Sequence, residues 1–391
     1  MRPTAFKLTA IILTFIGFVQ FSNAQSSGDV INTVTTAVPF LRITPDARSG
    51  GMGELGVAIS PDANSAFWNM GKVAFNTNKG AVSASYTPWL KDILNDVYHA
   101  TVAGYYKLDE QSAMSSSLRY FSLGTIQFTD NLGNDLNTYR PREIAFDFGY
   151  SRKLSEKSGL GVALRYINSN LASGTPGAGN TYKAASTVAA DLGYYYSGHD
   201  DLGTGWAFGV ALTNLGGKIS YTDNADQKDY IPANLAFGTT YSKAFDAQNK
   251  ISFGLDVNKL LVPTPPADPA TPEQLQEYRS KSVVSSWFTS FSDAPGGMSE
   301  ELKEFYFSVG GEYWYNNQFA LRTGYFYENK TKGNRQYFTM GVGIKYQSFG
   351  LDFSYLIPSG SGVDRNPLSN TLRFSLHFNF DGSGSGEATT K

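Results

Sequence analysis

The feature that most constrains this chain is a period of two. From about residue 80 onward, bulky apolar residues fall at every second position: Ile144, Phe146, Phe148 and Tyr150 alternate with Glu143, Ala145, Asp147 and Gly149. Leu160, Val162, Leu164 and Tyr166 repeat the beat, as do Phe338, Met340, Val342, Ile344 and Tyr346 and, at the end, Leu372, Phe374, Leu376, Phe378 and Phe380. A strand points successive side chains to opposite faces, so this pattern writes a ribbon with one apolar face and one polar or small face. Such segments fall near 80–88, 96–107, 111–124, 141–153, 158–170, 182–197, 203–213, 230–243, 249–261, 304–316, 317–328, 336–347, 349–357 and 370–380, fourteen in all. Only the third, around Ser115 to Leu123, is ambiguous in phase.

The connections sort by length. Those near 108–110, 154–157, 198–202, 244–248, 316–317 and 348 are short, and those at 89–95, 125–140, 171–181, 214–229, 262–303, 329–335 and 358–369 are longer. Strict alternation is the habit of an antiparallel barrel with tight turns at one end and loops at the other. A soluble sandwich has no reason to sort its loops to one end, and would hide its aromatic face against a second sheet. The aromatic share is 14% against only 17% charged residues, which suits a β-rich chain that meets something other than water. Hydrocarbon offers no hydrogen-bond partner, so every strand edge must pair and the sheet must close. The prediction is an all-β fold: a transmembrane 14-stranded antiparallel β-barrel over 80–380 with loops at the cell surface. An even strand count places both termini on the turn side, the periplasm, and Phe380 gives the last strand an aromatic end. The tail 381–391 is polar and rich in glycine and serine.

The first 24 residues read as an address. Arg2 and Lys7 precede the apolar run Leu8 to Phe21, and Ser22-Asn23-Ala24 supplies small residues for cleavage before Gln25. The chain has no cysteine, so disulfides, thiolate metal sites, a cysteine nucleophile and a lipid-modified cysteine are all excluded. With 34 acidic and 32 basic residues there is no basic domain to collect phosphates, and no nucleic-acid partner is expected. His99, His199 and His377 are scattered without metal-ligand spacing. No phosphate loop, nucleophile elbow or calcium loop is present, so the chain reads as non-enzymatic, with no cofactor.

If the aromatic phase faces lipid, the other phase faces the lumen and carries Asp147, Asp191, Asp256, Glu312 and Asp352 with Arg165, Arg322, Lys345 and Arg373. A balanced set favours structural ion pairs, which fix register and anchor a plug, over an ion-selective ring. Residues 25–79 do not read as strands; their closely spaced glycines permit tight turns, and they are expected to form an N-terminal plug or hatch tucked into the barrel. Asp46, Arg48, Asp62, Asn64 and Asn69 in this segment, with Asp147, Arg165, Asp256 and Arg373 on the wall, are the candidate plug and lumen residues.

The run Asp46-Ala47-Arg48-Ser49-Gly50-Gly51-Met52-Gly53, continuing through Gly56-Val57-Ala58, Ser60-Pro61-Asp62-Ala63-Asn64 and Phe67-Trp68-Asn69, resembles the PorV (LptO) family of type IX secretion barrels within the FadL (OMPP1) superfamily. Where that family reads Asn-Pro-Ala, this chain has Asn69-Met70-Gly71. The resemblance covers essentially the whole chain after residue 24. It implies an outer-membrane component that binds the C-terminal signal domain of secreted cargo at the translocon and shuttles it to the surface attachment complex. The implied partners are the type IX translocon barrel subunit, cargo signal domains, a sortase-like attachment subunit, and outer-membrane lipid or lipopolysaccharide. The rival reading is a FadL-like channel for hydrophobic small molecules, which would need a continuous apolar path.

Two loops are candidate partner surfaces. The connection 262–303 opens with Pro263, Pro265, Pro266, Pro269 and Pro272, and Thr271-Pro272-Glu273-Gln274 reads as a capped helix start. Leu275, Tyr278, Val283, Val284, Trp287, Phe288 and Phe291 then fall at helical spacings as one apolar stripe, either a lid on the barrel mouth or a docking surface. The loop Pro88 to Leu94 repeats this on a smaller scale with Trp89, Leu90, Ile93 and Leu94, for which an interfacial aromatic anchor is the alternative.

Overall fold

The computed structural model describes residues 31–91, 93–129, 132–172, 182–223, 228–266, 269–357, 368 and 370–380. The chain divides into two compact units, Met1–Ile31 and Asn32–Lys391; of the first only Ile31 is described, and the fold is that of the second. The leader expected at 1–24 and the tail at 381–391 lie outside the described residues.

Among the described residues sixteen strands follow in chain order: β1 (Gly80–Pro88), β2 (Val97–Lys107), β3 (Ser112–Leu123), β4 (Ile126–Thr129), β5 (Asp135–Tyr139), β6 (Arg142–Lys153), β7 (Ser158–Asn170), β8 (Ala185–Ser197), β9 (Gly205–Gly216), β10 (Asn234–Ala244), β11 (Asn249–Leu260), β12 (Tyr306–Tyr315), β13 (Phe319–Tyr327), β14 (Gln336–Tyr346), β15 (Phe349–Ile357) and β16 (Leu372–Phe380). Fourteen close into one antiparallel barrel, with β1 paired to β16, and β4–β5 form a separate two-stranded sheet. Barrel strands run from 9 to 13 residues, the length a tilted strand needs to cross hydrocarbon. No helix among the described residues is long and apolar enough to cross a membrane.

The period of two settles which face is which. On β6, Phe146 and Phe148 are exposed on the outer wall while Ala145, Asp147 and Gly149 are buried. The ambiguous third strand resolves the same way, with Met114 and Leu118 outward and Ser115, Ser117 and Arg119 inward. Leu164, Phe253, Val309, Leu321 and Met340 continue the exposed apolar band. Aromatic residues gather at both of its borders. Tyr86, Tyr98 and Tyr120 lie side by side at the loop end, with ring centroids 5.5 and 5.9 Å apart. Trp206 stacks against Phe208 at 6.1 Å and lies 5.0 Å from Tyr241 at the turn end. Two girdles around an apolar belt mark an outer-membrane barrel. The turns are tight; Asn316 and Asn317, both at positive φ of 53° and 52°, connect β12 and β13 in the conformation hairpins favour.

β1 starts and β16 ends at the turn end, as an even strand count requires. Ahead of β1, the described chain of this unit begins at the loop end; the terminus itself lies outside the described residues. The amide of Asn32 donates to the Thr331 carbonyl (3.0 Å) and that of Ala37 to Tyr230 (2.8 Å), both in loops. From there residues 32–79 descend through the lumen and reach β1 where the Lys107 amide meets the Lys79 carbonyl (2.8 Å). The descent is governed by the first apolar residues: Val38, Phe40 and Leu41 are buried against Val97, Phe121, Ile167 and Ile219 at the loop end.

Candidate functional site

The interior is where the segment 32–79 meets the inward phase of the wall, and polar networks there run between apolar clusters such as Met70 and Val73 on Ala81 and Ala163. Helix α1 (Ala47–Gly50) is capped by Asp46, whose carboxylate accepts from the Ser49 amide (2.8 Å) and from the Trp68 indole N–H (2.8 Å). Arg48 grips Glu312 on β12 with two bonds, 3.0 and 2.9 Å, and reaches Asp62 at 2.8 Å. Glu312 also accepts from Arg322 (2.7 Å), which reaches Asp352 (2.7 Å). Arg48, Glu312, Arg322 and Asp352 thus join one helix turn to three strands, all nearly shielded from solvent. A guanidinium held by two carboxylates in such a place is strongly oriented, since each charge has its opposite in hydrogen-bond reach.

Other contacts repeat the theme. One oxygen of Asp256 accepts the amides of Gly56 (2.7 Å) and Val57 (2.9 Å), and the Lys72 ammonium donates to the Gly56 carbonyl (2.6 Å). Asn69, which follows helix α2 (Ser65–Trp68), donates to the carbonyls of Val57 (3.1 Å) and Tyr194 (2.9 Å) while accepting from Gly71 (2.9 Å). Gly71 lies flat on the wall, where an added Cβ would come within 2.7 Å of the Gly193 carbonyl oxygen. Gly53 is more demanding: it has φ +69° and a Cβ there would lie 2.6 Å from the Tyr325 nitrogen. Across the lumen Arg165 bonds Asp147, Asp191 and Asn214, and Arg373 approaches Glu54 at 3.7 Å.

Every plug and lumen residue expected from sequence, Asp46, Arg48, Asp62, Asn64, Asn69, Asp147, Arg165, Asp256 and Arg373, is inward or within the lumenal segment. They form several networks: Arg48–Asp62 is one, Arg165–Asp147 another, and Asp256 a third. Asn64 is buried, with its side-chain oxygen unbonded. Lys72 was not among the expected residues; a lone lysine in a polar stretch carries no signal of burial.

The loop residues fared differently. The stripe expected over 262–303 is two helices, α3 (Pro272–Ser280) and α4 (Val283–Thr289), with α3 carrying the Thr271–Gln274 capping box. It does not present one face. Tyr278 and Val283 pack on Val34, Tyr230, Leu260 and Val262, while Val284 and Phe288 are exposed, Phe288 at 74%. Trp287 is half-buried, and Phe291, though exposed, has the Lys259 ammonium over its ring at 5.7 Å. In the first loop Trp89 turns inward against Phe121 (6.4 Å, edge-on) rather than anchoring an interface, Leu90 is half-buried at φ 52°, and Ile93 and Leu94 are exposed. The loop end also holds ion pairs that join distant segments: Lys259 with Glu301 and Glu304, each at 2.7 Å, and Lys332 with Glu300 at 2.6 Å. Burial alone would raise the Glu328 carboxyl, but Arg335 and Arg42 hold it below its ordinary value. Among the described residues no cluster of acidic and histidine side chains has the arrangement of a metal site.

A closed 14-stranded antiparallel barrel with an apolar outer belt between aromatic borders has the architecture of an outer-membrane β-barrel. Its fold is similar to the toluene transporter TodX of P. putida, with TM-score 0.55, 12% identity, and 86% of this chain and 99% of that one covered. The toluene transporter TbuX of Ralstonia pickettii aligns with TM-score 0.51, 13% identity, and 86% and 98% covered. At such identity the likeness shows the fold alone. No curated protein matches the sequence. The model of the family described as type IX secretion system protein PorV matches residues 25–267, and the chain belongs to that family.

Proposed function

We propose that this barrel works in the outer membrane as the cargo-receiving component of type IX secretion. It binds the C-terminal signal domain of secreted proteins at the translocon barrel and carries them to a sortase-like attachment subunit, beside lipid and lipopolysaccharide. The leader ends at Ala24, and the loop end faces outward. The observation that carries this reading is the family match over residues 25–267, joined to an interior occupied by the chain itself. With Arg48, Glu312, Arg322 and Asp352 bonded across it, the lumen serves as scaffold, and the working surface is the loop end, where Val284, Phe288, Ile93 and Leu94 are exposed. Apolar and aromatic side chains left open to water at a rim are the usual anchors of a partner.

The fold likeness to toluene transporters supports a second reading, a channel for hydrophobic molecules. Against it, the descent through the lumen is lined by ion pairs rather than by a continuous apolar path. Deleting the gene separates the two. Secretion predicts that proteins sharing a C-terminal β-domain accumulate in the periplasm; the channel reading predicts normal secretion with lost uptake of apolar solutes.

A further inference from the structure

The outer wall is hollowed across β1, β2, β3 and β6. An open groove of about 560 Å³ there is floored by Gly104 and Ser116 and walled by Val82, Val102, Leu118 and Phe148. Gly104 and Ser116 face each other across β2 and β3, in one row with Val82 and Phe148. The Ser116 hydroxyl donates to the Asp147 carbonyl (2.9 Å), so it turns into the wall and leaves the floor apolar. Gly311 on β12 shows the alternative: a Cβ there would meet the Phe253 ring at 2.9 Å, so the chain covers its own gap. A Cβ on Gly104 would meet the Ala81 carbonyl oxygen (2.8 Å) and a Val82 methyl (3.3 Å), which belong to the edge of the groove rather than to a cover.

The groove is blind. Behind its floor Ala81 and Tyr105 pack on Met70, Val73 and Ala74 of the lumenal segment, and the Ser115 hydroxyl meets the Met70 sulfur at 3.6 Å. At its turn-end border stand two cations. The Lys79 ammonium lies 5.1 Å from the centre of the exposed Tyr106 ring, and Arg152 is exposed on the outward phase of β6, two residues beyond Tyr150, which pairs with Met114. Neither joins an ion pair among the described residues. Asp109 acts on Arg152 through space, but its carboxylate is held by the amides of Gln111 and Ser112, 2.7 Å each, and Glu110 is paired with Lys107 at 3.5 Å.

A hollow in the apolar belt that stays empty forfeits dispersion contacts on one side, and the flexible molecule beside it in a bilayer is an acyl chain. At about 30 Å³ for each water-sized group, the space is of the order of one such chain. We propose that this groove binds one anionic glycerophospholipid of the leaflet at the turn end. An acyl chain lies over Gly104 and Ser116 between Val82 and Phe148, and the phosphate accepts from Lys79 and Arg152. The site asks only that the barrel sit in a bilayer, and nothing of secretion.

The test uses the full-length protein in mild detergent, with added dipalmitoyl-phosphatidylglycerol or dipalmitoyl-phosphatidylcholine and the retained lipid counted by native mass spectrometry. One phosphatidylglycerol should be held at saturation, about tenfold more tightly than phosphatidylcholine. Ser116→Leu places a further apolar residue on the lipid face, fills the groove and should abolish that retention, whereas Ser116→Ala leaves the groove open and should keep it. Lys79→Gln with Arg152→Gln should bring the two lipids to equal affinity. No saturable lipid, a count unchanged by Ser116→Leu, or a preference for phosphatidylglycerol that survives loss of both cations overturns the proposal. So does benzoylphenylalanine in place of Leu118 that, on illumination of whole cells, crosslinks to another polypeptide or to a second copy of this chain instead of to lipid.

Discussion

Two regions of this barrel solve opposite problems. In the lumen, a strandless segment brings its backbone and charges against the wall, and Arg48, Asp62 and Lys72 there are bonded, while Thr44 Oγ1 and Asn64 Oδ1 are buried without a partner. At the loop end, helices α3 and α4 leave Val284 and Phe288 open although the same element packs Tyr278 and Val283 on the mouth. The first arrangement is what a chain does to finish itself. The second leaves a surface unfinished, and it is there that the proposed function puts the partner.

The contrast can be broken at its strongest point first. Arg48→Leu removes the one cation that ties the lumenal segment to Glu312 and Asp62, leaving carboxylates buried with less compensation. Denaturant unfolding of the refolded barrel should show a loss of about 3–5 kcal/mol. An effect below about 1 kcal/mol would mean the segment is held by something other than this network. Leu164→Arg on the lipid face should cost about 2–4 kcal/mol near the bilayer midplane, read as reduced unfolding stability in vesicles. A substitution tolerated there without loss would argue against hydrocarbon contact. Gly53→Ala must place a Cβ against the Tyr325 backbone at positive φ, and a loss of about 1–3 kcal/mol should appear in the same assay.

Phe288→Ser, by contrast, should change stability by less than about 0.5 kcal/mol, since its ring is open to solvent. Its effect should appear in how much partner protein copurifies; unchanged retention would remove α4 from the docking surface. The smallest signature is acidic. Glu328 titrates below its ordinary value of 4.5 in the folded protein: burial opposes this, but Arg335 and Arg42 prevail. A depressed carboxyl contributes stability that is in place above the unfolded value and is lost as pH falls through the folded one. Glu328→Gln should therefore flatten the stability profile on acidification below 4.5 and leave its neutral limb parallel to the wild type.

Much of the wall was legible because lipid enforces it. Each strand must show one apolar face, so Phe146 and Phe148 declare β6 without any knowledge of its neighbours. The hairpin β4–β5 was not legible: Ile126, Gln127 and Thr129 are all exposed, so neither face is selected and no alternation is written. Lumenal charges could be assigned to the inward phase, but their partners could not. Arg48 finds Glu312 across 264 positions of sequence, and that match depends on closure and on how deep the segment sits. The segment's direction was hidden for the same reason: Asn32 is held at the loop end by bonds to Thr331 and Pro265. On α3 and α4 the apolar spacing was visible, but the turn at Lys281 and Ser282, which sends one side to the barrel and the other to solvent, was not.

The claim that the lumen is scaffold and the loop end is the working surface can be tested by pinning the segment in place. The chain has no cysteine, and the Ala47 amide already bonds the Ser375 hydroxyl at 2.8 Å, so Ala47→Cys with Ser375→Cys offers a single disulfide across the interface. With the bridge formed, export of proteins bearing the shared C-terminal domain should match the wild type. Export that stops when the bridge forms and returns on reduction would show that the segment must move, and would contradict the account.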